Sequence, residues 1–229
     1  MSKTVMITGA NRGIGFALAH AAAARGDTVL ATARNPNGCD AIARLGAQGA
    51  VSSFSVDVTD AARLDDLAHM LSDRAIDLLI CNAGALIGRG GIEDDSYTPD
   101  AFRTVLMTNV AGPFFTVRAF LPMLKKAHGK VAIISSAMGS SARAKGNSYL
   151  YRASKAAATN LAANLAVELE PHGIAVGAYH PGWVRTDMGG GGADITPEES
   201  AAGLLARFEA LSLETSGVVE DYQGHALPF

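Results

Sequence analysis

Cysteine is scarce in this chain, two among 229 residues, and the pair, Cys39 and Cys81, is widely separated. That spacing excludes a disulfide framework and the close-set pairs of a zinc site, and Cys81, ending a strongly apolar run, reads as a buried thiol rather than a redox partner or ligand. The histidines His20, His69, His128, His172, His180 and His225 show no HExxH or paired cysteine-histidine spacing, so no metal is expected. Charge is sparse at 18% and aromatic content is 6%. Nineteen basic residues are scattered against a net charge of -3, which gives no footprint for nucleic acid. No run reaches about 18 uninterrupted apolar residues, and a strand begins within three residues with no charged leader before it. No membrane segment is expected, and the composition suggests a reducing cytoplasm.

What the chain does have is 48% hydrophobic residues, enough for one domain over residues 1–229 to bury a core without metal or disulfides. Short, mostly continuous apolar stretches at Thr4 to Thr8, Thr28 to Ala33, Val51 to Phe54, Leu78 to Cys81, Lys130 to Ser135 and Ile174 to Tyr179 read as strands covered on both faces. A seventh is expected near Gly217 to Glu220. Alanine-rich periodic segments separate them: Ile14 to Arg25, Cys39 to Leu45, Ala61 to Leu71, Asp100 to Lys126, Ala153 to Glu170 and Pro197 to Leu211. This alternation implies an α/β fold, a parallel sheet with helices on both faces. Gly112-Pro113 predicts a bend or interruption in the long fourth helix, because Pro113 lacks a donor and crowds the carbonyl four residues back. Leu161, Leu165 and Leu169 form a stripe on the next helix, which suits packing on the sheet or a subunit interface. The Gly189 to Gly192 run reads as a flexible lid, spanning roughly 187–197 with its flanks, or as a passive connector.

After the first strand comes Thr8-Gly-Ala-Asn-Arg-Gly-Ile-Gly15. Glycines at 9, 13 and 15 allow close backbone approach, and the following helix would direct its unpaired N–H groups at a pyrophosphate. The spacing differs from GxGxxG, and the turn lacks the Gly-Lys-Ser/Thr ending of a P-loop, which disfavours phosphoryl transfer. At the end of the second strand, where a carboxylate would meet a ribose 2'-hydroxyl, stands Arg34; with Arg12 it favours the 2'-phosphate of NADP, and hence NADPH over NADH. Asp57 suits an adenine amino group or a helix cap. Tyr151 and Lys155, at i and i+4, share one helix face. Tyr149 has Ala153 at its +4 position, so it is expected in the substrate cavity rather than in catalysis.

These residues resemble the short-chain dehydrogenase/reductase family in its single-domain form. The resemblance covers almost the whole chain: the glycine turn, Asp57, Asn82-Ala-Gly84, Asn109, Ser135-Ser136, Tyr151 with Lys155, and Pro181-Gly-Trp-Val-Arg-Thr186. Within the family, Tyr149 to Ala157, His180 to Gly189 and Asp221 to Pro228 look like the group containing sniffer-type carbonyl reductases and bacterial C-factor proteins. The resemblance implies a Rossmann-type doubly wound seven-stranded parallel sheet and a catalytic set of Asn109, Ser136, Tyr151 and Lys155. It implies that Tyr151 exchanges the proton, drawn toward phenolate by Lys155 and the oxidised nicotinamide. Ser136 would bond the substrate oxygen, Lys155 the nicotinamide ribose, and Asn109 a water leading to solvent. The cofactor would meet Gly9, Asn11, Arg12, Gly13, Ile14, Gly15, Arg34, Asp57, Val58, Asn82, Ala83, Gly84, Tyr151, Lys155, Pro181, Gly182, Val184 and Thr186.

One departure concerns the serine, which the family commonly places thirteen residues before the tyrosine, where this chain has Met138. Ser136 keeps Gly139 at +3, the common local pattern, and is preferred, with Ser135 its rival and Ser140 or Ser141 behind. The substrate is expected to touch Ser136, Met138, Tyr149, Tyr151, Trp183 and Met188, an apolar set. Arg89, Arg143, Lys145 and Arg185 leave its charge open. The expected activity is NADPH-dependent reduction of a ketone or aldehyde to the alcohol. The alternatives are a dedicated secondary-alcohol or steroid dehydrogenase and an NADP-binding regulatory protein of C-factor type. The resemblance further implies a homodimer or homotetramer.

Overall fold

The computed structural model describes residues 2–35, 40–47 and 51–229. Cys39 and its place in the second helix lie outside them. Seven parallel strands form one sheet: β1 Thr4–Thr8, β2 Thr28–Ala33, β3 Val51–Ser55, β4 Leu78–Cys81, β5 Lys130–Ile134, β6 Ala175–His180 and β7 Val219–Asp221, in the order 3-2-1-4-5-6-7. The α-helices are α1 Gly13–Ala24, α2 Asp40–Ala47, α3 Ala61–Met70, α4 Pro99–Leu106, α5 Gly112–Ala127, α6 Tyr149–Leu169 and α7 Pro197–Ala210.

Side chains alternate across the pleat, so β1 feeds two cores. Met6 joins Leu79, Val131 and Val176 under α3, α5 and α6, while Val5 and Ile7 join Val29, Ile80 and Tyr179 under α1 and α7. This is the doubly wound arrangement, with helices on both faces. β3 departs from the expected double cover: Ser52, Ser53 and Ser55 are exposed, because β3 is an edge strand. Strand order reverses between β1 and β4, and the carboxyl ends of strands at such a switch point open into a crevice.

The long fourth helix is interrupted, though before Gly112-Pro113 rather than at it. Met107–Ala111 forms a π turn in which the Gly112 N–H reaches the Met107 carbonyl. Pro113 cannot donate to the Asn109 carbonyl, and Gly112 packs so closely on Val58 that an added Cβ would lie 2.8 Å from its Cγ2. By length and composition Pro99–Ala127 could cross a bilayer; here Val117, Phe120 and Leu124 are buried against the sheet, as in a core helix.

Candidate active site

At the switch point the first strand ends in a turn that only glycine can make. Gly9 and Gly13 have φ of +66° and +55°, and a Cβ on Gly15 would fall 2.3 Å from the Gly9 carbonyl oxygen. β4 braces this turn from below. The Asn82 amide donates to the Thr8 and Gly9 carbonyls at 2.9 and 3.1 Å, and the Asn82 and Ala83 N–H groups both donate to the Thr8 hydroxyl. Arg12 is the N-cap of α1 with no side-chain bond to the helix, whose first turn has no acidic residue. The helix supplies no acidic or capping side chain to the N–H groups there, which suits a diphosphate.

The crevice is a single cleft of about 900 Å³. It is lined by the glycine turn, Arg34, Asp57, Val58, Asn82 to Gly84, Ser136, Met138, Tyr151, Lys155 and the Pro181 to Gly189 segment. Arg34, at the end of β2, and Arg12 put two guanidinium groups on the walls of this cleft. Arg12 in this structure pairs with Asp187 at 2.6 Å, with both side chains more than half exposed. Asp57 accepts from the Thr59 N–H and hydroxyl at 2.9 and 2.8 Å, while the cap of α3 is Asp60. The residues present fit a phosphorylated dinucleotide: a cradle that a Cβ would fill, an uncapped helix and two arginines.

At the other end α6 delivers Tyr151 and Lys155 one turn apart, both buried. Lys155 Nζ donates to the Ile134 carbonyl at 2.7 Å and stands 5.6 Å from the centre of the Tyr151 ring. Ser136 lines the cleft with Tyr151 and acts to lower its phenol, and the Ser136 hydroxyl accepts from the Met138 N–H at 3.1 Å. Ser135 turns away, bonding the Lys155 carbonyl and the Thr159 hydroxyl inside the protein. Ser140 is buried and Ser141 exposed, neither of them lining the cleft. Two short 3₁₀ turns, Ala137–Gly139 and Ser141–Arg143, hold the residues between β5 and α6, so the longer serine-to-tyrosine spacing is absorbed locally.

Asn109 is buried in the π turn. Its oxygen accepts from the Ala85 N–H at 2.8 Å, and its amide donates to the Ala85 carbonyl and the Ser154 hydroxyl, both at 2.9 Å. It thus fixes the start of the loop after β4 to the helix carrying Tyr151.

Without the nicotinamide's charge, the protein's own groups raise the Tyr151 phenol. Burial raises the phenol above its ordinary range and outweighs the Ser136 hydrogen bond and the charge of Arg89, which both lower it. The same burial pushes the Lys155 ammonium down to about 8. Lys155 is therefore a weaker cation than its sequence spacing suggested, and Tyr151 keeps its proton. His180 lines the cleft; burial lowers it to about 4, and its Nδ1 is buried without a partner. Cys81 is buried, and its thiol is raised to about 12, which makes it inert.

The short-chain dehydrogenase model matches residues 3–194. The chain belongs to the short-chain dehydrogenase/reductase family. As a member it is an oxidoreductase acting between CH–OH and C=O groups, with a nicotinamide dinucleotide as hydride carrier. This short-chain dehydrogenase superimposes on the NADPH-bound carbonyl reductase from chicken fatty liver with a TM-score of 0.92 at 33% identity, covering 100% of this chain and 99% of that one. It superimposes on the carbonyl reductase Sniffer of D. melanogaster with a TM-score of 0.92 at 26% identity, covering 100% of both chains. Among curated proteins, the C-signal of Myxococcus xanthus is 38% identical over 67% of this chain and 93% of its own length.

Most of the expected site residues of this dehydrogenase line the one cleft, including Met138, Trp183 and Met188. Tyr149 does not. It is 41% exposed and packs edge-on against Tyr97, because residues two apart on a helix point away from one another. Thr186 lines the cleft, and its hydroxyl accepts from the Gly189 N–H at 3.0 Å. Sequence reasoning missed how the segment above the cleft is fastened: Arg12 to Asp187, Trp183 Nε1 to the Gly189 carbonyl at 2.8 Å, and Arg89 to the Met188 carbonyl. The legible signal for Arg89 was its position between Gly88 and Gly90.

Proposed function

We propose that this protein is an NADPH-dependent carbonyl reductase interconverting a ketone or aldehyde with its alcohol. The observation that carries the reading is the placing of buried Tyr151 with Ser136 and Lys155 on the wall of a cleft whose other end is the glycine turn. When bound, the dihydronicotinamide supplies a hydride to the carbonyl carbon. Tyr151 gives its phenolic proton to the carbonyl oxygen, and Ser136 hydrogen-bonds the same oxygen, so charge developing there is met as it forms. Lys155 holds the ribose beside the cleft floor. Asn109, which ties the loop after β4 to α6, keeps Tyr151 and Lys155 in register and supports the path by which Tyr151 regains a proton. Arg12 and Arg34 read the 2'-phosphate. For Arg12 this means exchanging Asp187 for the phosphate, a change open to an exposed pair.

The exposed Phe102, Leu106, Phe114 and Val167 on α4, α5 and α6 favour assembly as a homodimer or homotetramer, which light scattering reads. The free buried thiol of Cys81 fits a reducing cytoplasm. NADPH and NADH titrated under identical salt, followed by consumption of the reduced cofactor with ketones and aldehydes, test the reading. NADPH is expected to bind at least tenfold tighter, about 1.4 kcal/mol, with turnover on part of the panel. Equal binding of NADH removes the arginine assignment, and tight binding without turnover favours the regulatory alternative, which the C-signal likeness supports.

A further inference from the structure

The loop after β4 is built around one residue. Asp94 accepts from the N–H groups of Arg89 and Gly90 at 3.1 and 2.8 Å and from the Ser96 N–H and hydroxyl. These bonds hold its carboxyl down to about 2. On the other side, the Gly90 carbonyl accepts from the Tyr97 hydroxyl at 3.0 Å and the Ser148 N–H at 3.1 Å. The main chain at Arg89 is thereby fixed, while its side chain extends into the cleft wall. Its guanidinium donates to the Met188 carbonyl, and no carboxylate among the described residues pairs with it. The charge is felt at the reacting end, since it opposes the rise of the Tyr151 phenol.

Of the acids that line the cleft, Asp57 is held by Thr59 just after β3, and Asp187, which NADPH would part from Arg12, makes no ion pair with Arg89. Apolar side chains of Leu86, Met138 and Trp183 also line the cleft. An unpaired guanidinium has five donors in a planar fork suited to a carboxylate. We infer that Arg89 is a specificity-determining residue that binds a carboxylate on the substrate, so that the substrate class is an oxo acid whose carbonyl and carboxylate are joined by an apolar stretch. The inference rests on the carbonyl reductase reading.

The test uses medium-chain ω-oxo carboxylic acids and their methyl esters as matched probes. Wild-type protein should favour acid over ester by at least about tenfold in kcat/KM, mainly through KM. Arg89→Gln should bring the ratio close to one, and Arg89→Lys should keep part of it. Equal losses for acid and ester in Arg89→Gln would make Arg89 a strap for the 183–195 segment and overturn the inference, as would a wild-type preference for esters. Calorimetric binding of the acid to NADPH-loaded Tyr151→Phe, with and without Arg89→Gln, reads the anion contact independently of turnover. Arg89-dependent binding supports the inference even where neither probe is reduced, an outcome that would count against the reductase reading instead. Binding indifferent to Arg89, or no binding of the acid, overturns the inference even where esters are reduced.

Discussion

The glycine-turn end of the cleft is fastened by buried backbone and amide bonds, whereas the 183–195 segment over its other end is fastened largely by surface side chains. At the first, Thr8, Asn82 and Ala83 interlock with the turn, and no side chain larger than hydrogen fits at Gly15. At the second, Arg12, Arg89 and Trp183 reach across to Asp187, Met188 and Gly189, all through exposed groups on one side of each contact. Exposed ion pairs contribute little stability, so the difference separates a preformed dinucleotide cradle from a segment that can re-form around different molecules. On the proposed reading, the diphosphate cradle draws on the first kind of contact and the 2'-phosphate and substrate on the second.

Two glycine substitutions should show this contrast most strongly. In Gly15→Ala the new Cβ meets the Gly9 carbonyl at 2.3 Å and the Asn82 amide nitrogen at 2.4 Å. Destabilisation of about 1–3 kcal/mol is expected in denaturant titration, with weakened dinucleotide binding. Gly191 has open space around it and no positive φ. Gly191→Ala should change stability by less than about 0.5 kcal/mol, and an equal cost at both sites would erase the distinction.

The next effect is in the pH profile of carbonyl reduction. A lysine whose ammonium is lowered to about 8 loses charge as pH rises through that value, while the raised Tyr151 phenol stays protonated there. kcat/KM should therefore be level below about pH 8 and fall above it, approaching tenfold per unit. In Lys155→Arg the fall should move beyond pH 10, because a guanidinium keeps its charge. A fall at the same pH in both proteins would assign the titration to another group.

The smallest effect is expected at the surface pair. Asp187→Asn removes the partner of Arg12 where both side chains are more than half exposed. Thermal stability should move by less than about 0.5 kcal/mol, while NADPH binding tightens about two- to fivefold as the competing carboxylate is lost. Weaker NADPH binding in this variant would mean that Asp187 helps to close the segment over the cofactor.

The fold was legible because most strands are short apolar runs between turn signals, β3 and β7 being the exceptions, and five of the observed strands begin where the runs begin. Less legible was the π turn at Met107–Ala111: Gly112-Pro113 announced a break, but its position depends on Gly112 pressing against Val58, a contact from a distant element. In the site, the glycine turn and the Tyr151–Lys155 spacing were visible as local patterns. Ser136 was preferred to Ser135 in sequence on its Gly139 at +3, and the structure turns Ser135 toward Lys155 and Thr159 while Ser136 lines the cleft with Tyr151. The rise of the Tyr151 phenol in the protein alone was not legible, because spacing reports the nearby ammonium and is silent on burial, which acts on both groups. The arginine contacts over the cleft join residues 99 and 175 positions apart, a pairing that no local pattern encodes.

In the proposed reaction the Tyr151 hydroxyl delivers the proton that completes carbonyl reduction. Single-turnover oxidation of bound NADPH by a ketone that the wild-type protein reduces, compared with Tyr151→Phe, tests it most directly. Tyr151→Phe should still take up NADPH in a fluorescence titration and transfer hydride about 10²–10⁴-fold more slowly. Wild-type turnover by Tyr151→Phe would contradict it and move the proton donor to another group in the cleft.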